Sequence, residues 1–158
     1  MICYWTKAIY WLKVSECGGF MSLFTRLQKD IEKLSKAYEV RDKEIWMKID
    51  KKDLKDFLKS LKEKYDAHFI TITASDVGTK IQLIYHLDVN GILLNVETLI
   101  GKLSAFMDSV SDVFRGAEWI EGEISEMFNV KFKGKEYPRR FLSKKFSEGF
   151  HPLRRGKL

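Results

Sequence analysis

Apolar residues at Phe20, Phe24, Leu27, Ile31, Leu34 and Tyr38 recur at alternating steps of four and three, the spacing that buries one stripe of a helix. From Glu44 to Ile49 the period changes to two. Ile45, Met47 and Ile49 fall on one side and Trp46 on the other, which predicts a strand. Asp50 opens a second predicted helix, with Leu54, Phe57, Leu58, Leu61 and Tyr65 as its buried face. Ala67 to Thr73 is rich in β-branched and aromatic residues and predicts a second strand. Lys80 to Asp88 alternates Ile81, Leu83, Tyr85 and Leu87 against Gln82, Ile84, His86 and Asp88. Asn90-Gly91 then supplies a type I′ hairpin turn, and Ile92 to Leu99 is the return strand.

The segment from Asp108 to Phe141 breaks this ordinary pattern. Ser109 followed by Asp112 has the spacing of a helix start, a hydroxyl for a backbone N–H and a carboxylate for the positive end of the helix. Ala117, Ile120, Ile124, Met127 and Phe128 then give the helix an apolar face. Its acids, Glu118, Glu121, Glu123 and Glu126, do not share one stripe, because 3.6 residues per turn spread them around the axis. Glu118 neighbours Glu121, and Glu123 neighbours Glu126, at a cost of roughly a few tenths of a kcal/mol per pair. Lys131, Lys133, Lys135, Arg139 and Arg140 follow closely and are placed to relieve that repulsion.

The fold class expected is therefore α+β. A small mixed or antiparallel sheet of three to four strands carries two helices on one face, followed by a C-terminal helix and an extended basic tail. Residues 21–130 make the domain, ending in the Glu-rich helix, and 131–158 make the tail. Charge supports that division. The 158 residues carry a net +6, but Lys131 to Leu158 hold ten Lys or Arg against two Glu, so the first 130 residues sum to −2. A basic tail of this kind suits an acidic protein surface, nucleic acid or anionic lipid.

Residues 1–20 are read as an extension. Met1 to Gly19 is aromatic and apolar, yet Lys7, Lys13 and Glu16 interrupt it well short of the roughly 20 residues a membrane-spanning helix needs. It also lacks the cleavage site of a signal peptide. Met21 is the expected natural start. Both cysteines, Cys3 and Cys17, lie before it.

Little in the chain points to chemistry of its own. Two cysteines fourteen positions apart do not make an iron–sulfur motif, and His68, His86 and His151 have no metal-ligand spacing. Gly18-Gly19 lacks the strand and third glycine of a phosphate loop. Glu121 and Glu123, two apart on a helix, diverge too far for an acid–base pair. No catalytic, metal-binding or cofactor-binding residue is expected. An alternative reading is a small RNA-binding α+β module gripping single strands through its basic tail. The predicted strands carry no RNP-like aromatic motif and the folded part is slightly acidic, which makes nucleic acid the weaker partner.

The run Glu121-Gly122-Glu123-Ile124-Ser125-Glu126-Met127-Phe128-Asn129-Val130-Lys131-Phe132-Lys133-Gly134, then Arg139-Arg140, resembles a known signature. It is that of the thirty-kilodalton subunit family of respiratory complex I and related energy-converting hydrogenase subunits. The family pattern reads approximately E-R-E-x-aromatic-D-x-F-G-I-x-F-x-G-H-P-x-L-R-R. Ser109 to Trp119 looks like its lead-in. Here Gly122 stands for arginine, Ser125 for the aromatic residue, Glu126 for aspartate and Asn129 for glycine. Lys135-Glu136 stands where the His-Pro pair belongs, and His151-Pro152-Leu153-Arg154-Arg155 echoes that pair downstream. Asn129 for glycine is mild, since Asn also tolerates the left-handed conformation of a helix C-cap. The lost arginine points to a divergent branch.

The resemblance implies an accessory subunit of a membrane-bound NADH dehydrogenase-like or energy-converting [NiFe] hydrogenase complex. It would hold no redox centre itself, leaving iron–sulfur clusters, and nickel–iron in the hydrogenase case, to its partners. Those partners would be a catalytic large subunit and an iron–sulfur small subunit, with the chain peripheral to the membrane subunits on the cytoplasmic face. The residues expected to meet a partner are Glu118, Glu121, Glu123, Glu126, Tyr137, Arg139, Arg140, Phe141, Arg154 and Arg155, with Phe146 and Phe150 as further apolar anchors.

Overall fold

The computed structural model describes residues 18–34, 38–41, 43–138, 141–142 and 149–155. The first helix, α1 (Gly18–Leu34), lays Leu27 and Ile31 fully into the core, with Phe24 partly buried beside them. The apolar spacing carries the predicted helix on to Tyr38, whose backbone is extended. Tyr38 instead opens a strand, β1 (Tyr38–Arg41), antiparallel to β2 (Glu44–Lys48), with Tyr38 opposite Met47 and Val40 opposite Ile45. The Tyr38 hydroxyl donates back to Glu32 at 2.5 Å, and that bond, with burial, pushes the phenol pKa up to about 12.

Helix α2 (Leu54–Tyr65) buries Leu54, Phe57, Leu58 and Leu61 and ends at Asp66 in the left-handed conformation. Strands β3 (His68–Asp76), β4 (Lys80–Val89) and β5 (Ile92–Gly101) form an antiparallel meander. Asn90 and Gly91 both have positive φ, 52° and 84°, as the predicted type I′ turn requires. β5 then pairs in parallel with β2, giving the order β1-β2-β5-β4-β3. The sheet thus has five strands rather than three or four. β1 is the extra one, hidden in the sequence behind a helical spacing.

Strand register sorts the sheet's two faces. Ile45 and Met47 of β2, Leu94 and Val96 of β5, Leu83, Tyr85 and Leu87 of β4 and Ile72 of β3 share one face. All eight are buried in a single core with residues of all three helices. At roughly 1.5–3 kcal/mol per fully buried large apolar side chain, this face is the main stabilising surface of the domain.

After β5 come β6 (Phe106–Asp108), helix α3 (Ala117–Phe128) and β7 (Lys131–Lys133). β6 and β7 pair in parallel as a separate two-stranded ribbon, with Met107 and Phe132 turned inward. β7 therefore draws the first three residues of the basic segment into the fold. α3 begins later than the Ser109–Asp112 spacing suggests. Its N-cap is Gly116, and two tight turns from Val110 fill the gap. Asp112 pairs with Lys55 at 2.9 Å instead of capping the helix. The helix ends on Asn129, left-handed at φ 55°, whose N–H bonds the Ser125 carbonyl. Asparagine fills the place of the family glycine at this cap.

Candidate functional site: the buried acids of helix α3

The four glutamates of α3 divide by helical phase. Glu118 and Glu123 face solvent, whereas Glu121 is 0 % exposed and Glu126 is buried. Charge repulsion along the helix is thus settled by geometry: each predicted pair has one member inside and one outside.

Glu121 sits in a cage of neutral donors. Its Oε1 accepts the Val110 N–H at 2.7 Å, and its Oε2 accepts the Ser109 hydroxyl at 2.7 Å and the Tyr137 hydroxyl at 2.5 Å. Ser111 completes the cage, its hydroxyl 2.8 Å from that of Ser109. Burial raises the carboxyl pKa, Asp112 adds repulsion, and the Tyr137, Ser109 and Val110 donors pull the other way. The Tyr137 phenol is pushed up as well, by burial and by its bond to Glu121. Ser109 thus matters to the fold in another way than its spacing suggests, meeting a carboxylate twelve residues away rather than the helix start.

Gly122 explains how Tyr137 arrives. A Cβ at Gly122 would lie 3.4 Å from the Tyr137 ring, so the ring packs on bare helix backbone, and its edge also meets Phe132. The family arginine at this position would have to displace the ring. Contact at 3.4 Å is ordinary for a methyl group, and alanine removes the cost of mid-helix glycine, about 0.5–1 kcal/mol. Gly122→Ala is therefore expected to raise the melting temperature by a few degrees, and Gly122→Arg to lower it, with thermal denaturation as the measurement.

Glu126 holds the chain further on. Its two oxygens accept the backbone N–H groups of Phe141 at 2.9 Å and Leu142 at 2.7 Å. Phe141 also sets its ring edge-on to Trp119, centroids 5.2 Å apart. His151 Nδ1 lies 2.7 Å from the Glu126 carbonyl, and the Leu153 N–H bonds the Met127 carbonyl. The Arg154 guanidinium donates to the carbonyls of Phe128 and, at 2.7 Å, Lys102. The His151–Arg155 segment thus closes the C-terminal end of α3, where unpaired carbonyls and the negative end of the helix dipole favour a cation.

One further anchor was not foreseen. Lys102, in an otherwise apolar run, makes a 2.5 Å ion pair with Asp76 and donates to the Arg155 carbonyl, while the Arg155 N–H bonds Asp76. A single lysine within Leu-Ile-Gly-Lys-Leu was the available signal.

Of the ten expected partner residues, Glu121, Glu126, Tyr137, Phe141 and Arg154 are brought together inside the chain. Glu118 and Glu123 lie on the exposed side of α3, and the Arg155 residue is exposed at the end of the described segment. Arg139, Arg140 and Phe146 lie outside the described residues. Phe150 is 41 % exposed.

Elsewhere, His86 bridges Thr73 at 2.9 Å and Asn95 at 2.6 Å across three strands. A hollow of about 410 Å³ at the β1–β2 edge is lined by Tyr38, Arg41, Trp46, Lys48 and Glu97 among others. Its charges are spent on neighbours, Arg41 on Glu39 and Lys48 on Glu97. Among the described residues, no three His, Cys, Asp or Glu side chains are grouped to hold a metal. Among the same residues, no helix is long and apolar enough to cross a membrane.

The architecture is thus an α+β domain, a five-stranded mixed sheet followed by a helix whose two buried acids bind downstream backbone and hydroxyl groups. The chain belongs to the family of the respiratory-chain NADH dehydrogenase 30 Kd subunit, which matches residues 47–157. Both the Glu121–Gly134 signature and the His151–Arg155 segment fall inside that match. It is 30% identical over 144 residues to the NADH-quinone oxidoreductase C subunit of Rickettsia bellii, covering 82% of this chain and 72% of the relative. It is 32% identical over 87 residues to the NAD(P)H-quinone oxidoreductase J subunit of Prochlorococcus marinus, covering 49% of this chain and 50% of that one. Among solved structures, it is similar to a chain of the membrane-bound sulfane sulfur reductase, an archaeal respiratory membrane complex. There the TM-score is 0.70 at 28% identity, with 82% of each chain covered. The trypsin-resistant fragment of Nqo5 shares the fold, with a TM-score of 0.60 at 17% identity over 74% of this chain and 98% of the fragment.

Proposed function

We propose that this chain is a non-redox structural subunit of a complex I-like membrane-bound respiratory assembly, clamping the catalytic large subunit in the peripheral arm. The observation that carries the reading is the inward turn of Glu121 and Glu126. Acids that serve chemistry face a cleft where a substrate can reach them. These two face the protein's own hydroxyls and backbone N–H groups and hold Tyr137, Phe141 and Leu142 against α3, where the Glu126 carbonyl also meets His151.

Such a clamp suits an electron-transfer assembly, where distances between centres in neighbouring subunits must be held constant. The iron–sulfur clusters, and nickel–iron in the hydrogenase branch, would belong to the large and iron–sulfur small subunits. The chain would sit against them on the cytoplasmic face, outside the membrane subunits. Glu118, Glu123 and the Trp119 ring, 57 % exposed, are the part of α3 left facing outward.

A strain lacking this chain tests the reading. The large subunit should then accumulate outside the membrane fraction, and the activity of the complex should fall with it. Full-length chain purified without iron or nickel should restore both. Restoration that required metal on this chain would contradict the non-redox role.

A further inference from the structure

Four exposed apolar side chains gather at one end of the sheet. Leu103 is 85 % exposed, Leu153 52 %, Val77 51 % and Phe106 51 %. They come from the β3–β4 turn, the loop after β5, the first residue of β6 and the 153–155 segment, and a knot of bonds ties the turn, the loop and that segment together. The Lys102 N–H bonds the Thr79 carbonyl, its ammonium bonds Asp76 and the Arg155 carbonyl, and Arg154 bonds the Lys102 carbonyl. At the near edge, the Lys131 N–H bonds the Ala105 carbonyl and its ammonium lies 5.8 Å from the centre of the Phe106 ring.

Charge on these segments is predominantly positive. Residues 76–80, 101–106, 131 and 153–155 contain one acid, Asp76, which Lys102 and the Arg155 N–H already engage. Lys80, Lys131 and Arg155 remain exposed around the apolar side chains.

We infer that this end of the sheet is a docking surface for an acidic, apolar-centred face on another subunit of the complex, an inference that rests on the subunit reading above. The basic rim selects the partner by charge complementarity, and the aliphatic centre supplies buried area. A second copy of this chain would bring like charges together across a symmetric contact. Single-stranded nucleic acid needs aromatic faces for stacking. Here three of the four apolar side chains are aliphatic, and Lys131 sits against the fourth.

The test uses the complex isolated from the source cell, with a benzoylphenylalanine photocrosslinker at position 103 and, separately, Leu103→Asp and Lys131→Glu. The expected result is a crosslink to an acidic segment of another subunit. Each variant should lower the chain recovered in the complex about tenfold, with the melting temperature of the isolated chain unchanged. Leu103 is exposed enough for that control to hold. If the chain enters the complex and position 103 crosslinks to nothing, the docking surface is wrong while the subunit reading stands. If the chain never enters the complex, both fail. Crosslinking to lipid, binding of the purified chain to phosphatidylglycerol vesicles or poly-U RNA that Leu103→Asp abolishes, or dimerisation through this face would each overturn the protein partner.

Discussion

Glu121→Leu is expected to destabilise the chain by about 3–5 kcal/mol, a large share of the roughly 5–15 kcal/mol that keeps a typical domain folded. The substitution is near in volume and fully buried, so the loss does not come from a cavity. It comes chiefly from stranding the buried Val110 N–H, at about 1–3 kcal/mol without an acceptor, and from taking the carboxyl away from the Ser109 hydroxyl, which keeps Ser111, and from the half-buried Tyr137 hydroxyl. Glu121→Gln should lose far less. Its carbonyl can take the Val110 N–H, and its amide can donate to hydroxyls free to rotate.

The two variants also separate by pH. The folded-state pKa of Glu121 is raised, chiefly by burial, so the fold binds its proton more tightly than the unfolded chain does. The stability this confers is fully present below the unfolded value and is lost as pH rises through the raised folded value. Wild type should therefore lose ground to Glu121→Gln as pH climbs from about 4.5 upward, when denaturant midpoints are compared at each pH. A difference that grew in the opposite direction would mean that the cage stabilises the carboxylate more than burial penalises it.

Cutting the chain after Gly134 is the second large expected effect, and it has two parts. The five-stranded sheet, α1 and α2 are retained whole, so a folded core remains. Lost are the Tyr137 bond to Glu121, the backbone donors to Glu126, and the closure of α3 by His151 and Arg154. Two buried carboxylates are left short of donors, and the truncated chain should melt well below the full one. Assembly should be lost too, and pull-downs of the large subunit from the source cell measure that. Tyr137→Phe separates the parts: it removes one hydrogen bond, about 1 kcal/mol, and should leave assembly intact. Capture of the large subunit at normal strength by the truncated chain would refute a role in assembly for the segment after Gly134.

Much of this was legible in the sequence because it rests on period and turn chemistry. The alternation of β4, the Asn90-Gly91 turn and the buried stripe of α2 are local signals and stand where their patterns put them, although α2 starts at Leu54 after a turn from Asp50, and Tyr65 is only half-buried. β1 was not legible, since Tyr38 continues the helical step from Leu34 and only its pairing with Met47 reveals a strand. β6 and β7, three residues each, are too short to show a period.

The site was half legible. The Glu-rich helix and its basic sequel mark the region, but charge alone places acids outside and expects cations to balance them. For Glu121 the donors are hydroxyls and a backbone N–H from residues eleven to sixteen positions away, in segments with no shared periodicity. Gly122 shows the same limit. As a departure from the family pattern it reads as a lost charge, whereas in the fold it is the floor on which Tyr137 lies.

Native affinity purification from the source cell through an N-terminal tag decides whether this chain is a metal-free structural subunit of a respiratory complex. Mass spectrometry and metal analysis of the purified material give the readout. A large subunit, an iron–sulfur protein and membrane subunits should copurify in constant proportion to this chain, with iron that stays with those partners when the chain is stripped away. Recovery of the chain alone, or of chain that retains iron or nickel after the partners are removed, would contradict it.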